Sequence, residues 1–162
     1  MNVNFILNGE DISIQAHAQE KSSLLLRKRC GITSLYTDCS EGLCGRCLVI
    51  FNGQPANSCL IPAFRLRGSE IITYEGIEQT GNAALLREAF KMHELSLCSF
   101  CRASRYILLS FILDYAIRPD ADKIKTILAS VSCRCISGTV LLDIAQTALD
   151  IKEGRLQRYA NK

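Results

Sequence analysis

The sequence has no tryptophan, only three prolines and only two histidines in its 162 residues, and these shortages narrow its chemistry. His17 and His93 stand apart, without a carboxylate or nucleophile pattern around them, so both read as ordinary surface residues rather than ligands or bases. No Gly-rich phosphate loop, nucleophile elbow or paired-carboxylate signature is present, which leaves no sign of a site for nicotinamide, flavin or molybdenum. The 19 basic and 16 acidic side chains are interspersed, and no Lys/Arg run is long enough for a nucleic-acid groove. The longest apolar stretch, around residues 107–117, is broken by Ser110 and Asp114 and falls short of the roughly 20 residues of a membrane span. Residues 1–8 show no basic region followed by a long apolar stretch, so no secretory signal is expected.

Cysteine is what the chain has in quantity, with nine residues. Cys39, Cys44, Cys47 and Cys59 are separated by four, two and eleven residues, and Cys98, Cys101, Cys133 and Cys135 by two, thirty-one and one. Only Cys30 stands outside these quartets; it reads as a small core residue. So many cysteines without an export signal favour a reducing compartment and metal over disulfides, and the expected location is the cytoplasm.

The hydrophobic pattern changes period along the chain. Val3, Phe5 and Leu7, then Ile12, Ile14 and Ala16, alternate with polar residues around Asn8-Gly9, a two-residue hairpin turn. Ser22 or Ser23 can cap a short helix through Leu24–Arg27 positions 24–27. Residues 38–47 are loop-like, with Gly42 and Gly45 among the cysteines. Strand character returns at 47–51, turning at Asn52-Gly53, and again at 71–74, stopping at Gly76. After Gly81 the period becomes about 3.6. Residues 83–92 form one helix, Leu108, Phe111, Ile112 and Tyr115 mark a second, and Ile124, Ile127, Leu128 and Val131 a third, capped by Asp120. Leu141, Ile144, Ala145, Ala148 and Leu149 mark a fourth. Strands first and helices afterwards give an α+β chain of two domains with a boundary near 77–81. Two cores of about 80 residues each are thin, and metal staples would help both.

The first quartet has the C-x4-C-x2-C opening of a plant-type [2Fe–2S] site. Three ligands within nine residues force the chain to wrap an inorganic core with its N–H groups aimed at sulfur, and Gly42 and Gly45 permit that. A four-cysteine zinc site usually has two C-x2-C knuckles, which this run fits poorly. Cys98 and Cys101 precede one helical stripe and Cys133 and Cys135 another, so helix dipoles favour thiolates at both. On spacing alone the second quartet suits a cluster, a zinc site or a redox pair.

The run Asp38-Cys-Ser-Glu-Gly-Leu-Cys-Gly-Arg-Cys-Leu-Val, with Asn52-Gly53, Ser58-Cys59-Leu60, residues 68–76, Cys98-Ser-Phe-Cys101 and Cys133-Arg-Cys135, resembles the small iron–sulfur subunit of the xanthine dehydrogenase family of molybdenum hydroxylases. The resemblance spans almost the whole chain. It implies an N-terminal β-grasp ferredoxin-like domain over residues 1–77 and an all-α four-helix [2Fe–2S]-binding domain over residues 82–162. It implies two [2Fe–2S] clusters, on Cys39, Cys44, Cys47 and Cys59 and on Cys98, Cys101, Cys133 and Cys135, with no catalytic residue on this chain. It also implies partners: a large molybdopterin-binding subunit and a medium FAD-binding subunit, with electrons passing from molybdenum through the second cluster, then the first, to FAD. The departures from the family pattern surround the second quartet: Leu97 for Gln, Ser99 for Gly, Ala103-Ser104 for Pro-Gly, Ser130-Val-Ser132 for Gly-Asn-Leu and Ile136-Ser-Gly138 for Thr-Gly-Tyr. The family Gln lies beside the pterin, so Leu97 removes a hydrogen-bonding contact. In the first loop Asp38 replaces Gly and Arg46 replaces Ala. Arg46, Arg102 and Arg134 each adjoin a ligand cysteine, where they raise a cluster's potential, meet a partner or simply face solvent. The alternatives are a free-standing two-cluster ferredoxin and a zinc-stabilised, non-redox interaction module.

Overall fold

The computed structural model describes residues 1–156. Those residues form five strands, six helices and two single turns of 3-10 helix, the α+β class expected. Strands β1 (Asn2–Leu7) and β2 (Glu10–Gln15) make the hairpin, with Val3, Phe5 and Leu7 turned inward. Asn8 and Gly9 take positive φ, 52° and 88°, as a tight two-residue turn demands. Helix α1 (Ser22–Arg29) follows, then β3 (Leu48–Phe51), β4 (Gln54–Asn57) and β5 (Glu70–Ile72). The strand order is β2-β1-β5-β3-β4, with β1 and β5 parallel and the other pairs antiparallel.

The continuous apolar run of β3 has a physical reason: both its faces are covered. Val49 joins a core with Val3, Phe5, Leu7, Leu25, Leu26 and Ile71. Leu48 and Ile50 point the other way, into a core with Leu86, Ile107, Leu108, Ile112 and Ile144. A period of two along one strand therefore divides its side chains between two cores.

The helices are α2 (Tyr74–Glu78), α3 (Gly81–Met92), α4 (Arg102–Leu113), α5 (Ala121–Leu128) and α6 (Gly138–Lys152). Asp120 caps α5 by accepting from the Lys123 N–H at 2.8 Å, as its position predicts. Ser137 caps α6 through the Val140 N–H. Three local expectations change. Neither Ser22 nor Ser23 caps α1: Lys21 is at the cap position, the Ser22 hydroxyl donates to the Ile61 carbonyl at 2.7 Å, and Ser23 Oγ is buried without a partner. The strand expected at 71–74 ends at Ile72, because Thr73 and Tyr74 open α2 and Gly76 lies inside that helix. Tyr115 and Val131 lie just past the ends of α4 and α5. Among the described residues no helix is long and apolar enough to cross a membrane.

Candidate iron–sulfur sites

The second quartet is gathered from two chain segments. Cys98 and Cys101 lie on the turn that enters α4, with Cys101 at its cap position, and Cys133 and Cys135 lie on the loop between α5 and α6. Their Sγ atoms all lie within 4.8 Å of one another. Cys98–Cys101, Cys101–Cys135 and Cys133–Cys135 approach to 3.2 Å, and Cys98–Cys133 to 4.0 Å. Cys101 is fully buried while Cys135 is exposed, so the quartet is rooted in the helical core and opens at the surface.

In the first quartet the Cys39 thiol interacts with that of Cys44, and the Cys47 thiol with that of Cys59; among the described residues only the second quartet forms a gathered set of metal ligands. Backbone N–H groups converge on the sulfurs: those of Glu41, Cys44 and Leu43 serve Cys39, that of Cys59 serves Cys47, and that of Arg46 donates to Cys44 Sγ at 3.5 Å. Gly42 and Gly45 make this wrap possible with φ of 76° and 69°. Asn57 ties the loop down by donating to the Gly42 carbonyl at 3.0 Å. Cys47 and Cys59 are buried, Cys39 and Cys44 half-buried, and Leu43 and Leu60 stand exposed beside them.

Each quartet contains thiols that ionise easily. Hydrogen bonds from the Glu41 and Cys44 backbone and the Cys44 thiol bring Cys39 down to about 6. The Cys101 thiol brings Cys98 down to about 7. Burial instead pushes Cys47 up to about 11 and raises Cys101, whose neighbouring thiols add to the effect. Thiolates are the metal-binding form, and four of them with inward N–H groups are the donor set iron–sulfur centres use. Zinc, at about 2.3 Å from each sulfur, uses four thiolates as well.

The arginines beside the grouped cysteines differ in setting. Arg46 is held over the Tyr36 ring at 5.5 Å and interacts with the Cys44 thiol. Arg102 donates to the Leu97 carbonyl at 3.4 Å, and Arg134 is exposed. Arg105, which the sequence pattern did not single out, is the buried one, at 5% exposure. Its sequence neighbours gave no signal for that burial, since Arg102, Ser104 and Ser110 share the same helix. Leu97 is 5% exposed and packs into the helical core, so the departure from Gln puts an apolar side chain among apolar neighbours. His17 is exposed, as expected. His93 is half-buried, and its Nε2 pairs with Thr147 Oγ1 at 2.9 Å, joining the end of α3 to α6. Cys30 packs half-buried against the core under the sheet.

No protein-family model matches the sequence. Relatives do. The chain is 35% identical over 133 residues to the nicotinate dehydrogenase small FeS subunit of Eubacterium barkeri, covering 82% of this chain and 85% of that one. It is 30% identical over 140 residues to caffeine dehydrogenase subunit gamma of Pseudomonas sp. (strain CBB1), covering 82% and 81%. Among solved structures, a chain of quinoline 2-oxidoreductase from Pseudomonas putida 86 superposes with a TM-score of 0.81 at 26% identity, over 96% of this chain and 98% of that one.

Proposed function

Because this chain belongs to the small iron–sulfur subunits of the xanthine dehydrogenase family of molybdenum hydroxylases, and so serves electron transfer in a multi-subunit oxidoreductase, we propose that its eight grouped cysteines hold two [2Fe–2S] clusters. Cys39, Cys44, Cys47 and Cys59 would hold the first, and Cys98, Cys101, Cys133 and Cys135 the second. Each iron of such a cluster takes two thiolates, and the pairs Cys39 with Cys44 and Cys47 with Cys59 suit that division. The observation that carries the reading is the gathering of Cys98, Cys101, Cys133 and Cys135 within 4.8 Å, since four thiols brought together from two distant segments are the donor set of a metal centre.

The layout we propose is a β-grasp ferredoxin-like domain over residues 1–77 and a four-helix domain over residues 82–162. Two separate hydrophobic cores support it, although Leu48, Ile50 and Ile77 belong to the helical one, so the two parts share an apolar seam. Electrons would arrive from a molybdopterin cofactor on a large partner subunit, pass through the second cluster and then the first, and leave to FAD on a medium subunit. The protein's own part is to fix distance and potential. The reducing cytoplasm suits a chain whose described cysteines are all free of disulfides. The relatives' names specify nicotinate and caffeine, so N-heteroaromatic compounds are the first substrates to offer the assembled enzyme.

The test is anaerobic purification of the tagged chain from its native source. A red-brown complex containing a large molybdopterin-binding subunit and an FAD subunit is expected. A red-brown chain that purifies alone would make it a free-standing ferredoxin, and a colourless, zinc-loaded chain a non-redox module.

A further inference from the structure

Arg105 lies one helical turn beyond Cys101, and its backbone N–H donates to the Cys101 carbonyl at 2.9 Å. Its side chain runs inward rather than out to water, leaving 5% exposure. The guanidinium donates to two backbone carbonyls, Leu128 at the end of α5 and Val131, the latter at 2.9 Å. These carbonyls carry only partial charge. None of the ion pairs among the described residues involves Arg105. A buried cation without an anionic partner is costly and uncommon. Burial lowers its pKa overall, and Cys101, Cys133, Cys135 and Cys98 of the second quartet oppose that shift, as anionic groups near a cation do. The exposed Arg102 and Arg134 are screened by solvent, whereas Arg105 is shielded from it.

We propose that Arg105 is the fixed counter-charge of the second iron–sulfur site, a positioning residue that raises that site's reduction potential selectively. The proposal rests on the reading of Cys98, Cys101, Cys133 and Cys135 as cluster ligands. One-electron reduction of a four-thiolate [2Fe–2S] centre, by dithionite in a titration, turns a dianion into a trianion with no bond made and no proton required. A guanidinium held close by in a low-dielectric setting stabilises the more negative state more. Arg105 thereby makes the second site a better electron acceptor than the same site would be without the charge. Its two hydrogen bonds to the segment before Cys133 keep the charge at a fixed distance, so no reorganisation is needed when the site is reduced.

The experiment is an EPR-monitored redox titration of the full chain as wild type, Arg105→Met, Arg105→Gln and Arg105→Lys, with iron and sulfide counted in every sample. Those counts separate the two ideas: zinc without sulfide in the wild type would defeat the cluster reading itself, whatever the variants do. With clusters present, the neutral variants are expected to shift the reduced-to-oxidised ratio of the second centre at least tenfold at fixed potential, a fall of 59 mV or more for one electron. The first centre should stay put, and Arg105→Lys should remain nearer the wild type than either neutral variant. Loss of the second centre in both neutral variants, with Arg105→Lys retaining it, also supports the proposal, because the charge is then needed for assembly. Unchanged potentials in the neutral variants would overturn it. So would equal shifts at both centres, a shift in Arg105→Lys as large as in Arg105→Met, or loss of the second centre in all three variants.

Discussion

The backbone N–H of Ser132 donates to the carbonyl oxygen of Cys44 at 3.2 Å. One hydrogen bond thus joins a cysteine of the first quartet to the residue next to Cys133, a cysteine of the second. The approach is close enough to dictate the residue beside it. A Cβ on Gly45 would lie 2.2 Å from the Ser130 carbonyl oxygen and 2.9 Å from Val131 Cα, and both obstacles are backbone.

Gly45→Ala should therefore force the two sites apart. Gly53 is the control, since its φ of 79° carries similar strain while nothing lies within 4 Å of its Cβ position. Gly53→Ala is expected to cost about 1 kcal/mol. Gly45→Ala should cost about 2–4 kcal/mol and also weaken the magnetic interaction between the two reduced centres in EPR. Equal melting shifts for the two variants would remove the contact as the reason for Gly45.

Replacing single ligands should divide the metal content by site. Cys59→Ser is expected to lose about half the iron and sulfide and one EPR signal, and Cys135→Ser about half and the other signal. Metal analysis with EPR checks this. Loss of both signals from either variant would mean that the sites do not assemble independently.

Glu75 gives a pH dependence away from the metal sites. Its carboxylate accepts from the Ser34 N–H and hydroxyl at 3.0 and 2.9 Å and from the Thr73 hydroxyl at 2.8 Å. Burial pushes its pKa up, but hydrogen bonds from Ser34, its own backbone and Thr73 outweigh that, and the net shift is downward. A lowered folded pKa means that Glu75 contributes fully above its unfolded value of about 4.3, and that the contribution is lost as pH falls through the folded value. Glu75→Gln should cost about 1–2 kcal/mol at pH 7, with a smaller difference from wild type at pH 3. Chemical denaturation at the two pH values measures it; a gap that widens in acid would contradict the assignment.

What could be read in advance was whatever local chemistry dictates. The spacing of the cysteine quartets is read directly, Asn8-Gly9 and Asn52-Gly53 need positive φ, and Asp120 needs only the turn that follows it. Edge strand β4 was not legible because Pro55 argues against a strand; it is tolerated because β4 lies at the sheet margin. The switch from β5 to α2 at Thr73 has no strong local marker, and Ser22 and Ser23 mimic a cap. The burial of Arg105 and the contact of Gly45 with Ser130 depend on how the helices pack beside the first loop. No window of sequence around either residue contains that information.

Ser23 offers a test of the cap that is absent. Its hydroxyl is buried without a partner, and an unsatisfied buried polar group costs about 1–3 kcal/mol. Ser23→Ala removes the group and places a better helix former in α1, so a gain of about 1 kcal/mol is expected. A drop in melting temperature would show that Ser23 Oγ has a partner after all.

The central claim, two [2Fe–2S] clusters on one chain, is most directly tested by counting iron, acid-labile sulfide and zinc in anaerobically purified protein and recording its EPR spectrum after reduction. About four irons and four sulfides per chain, with two distinct signals, are predicted. Zinc in place of sulfide, or about two irons with a single signal, would contradict it.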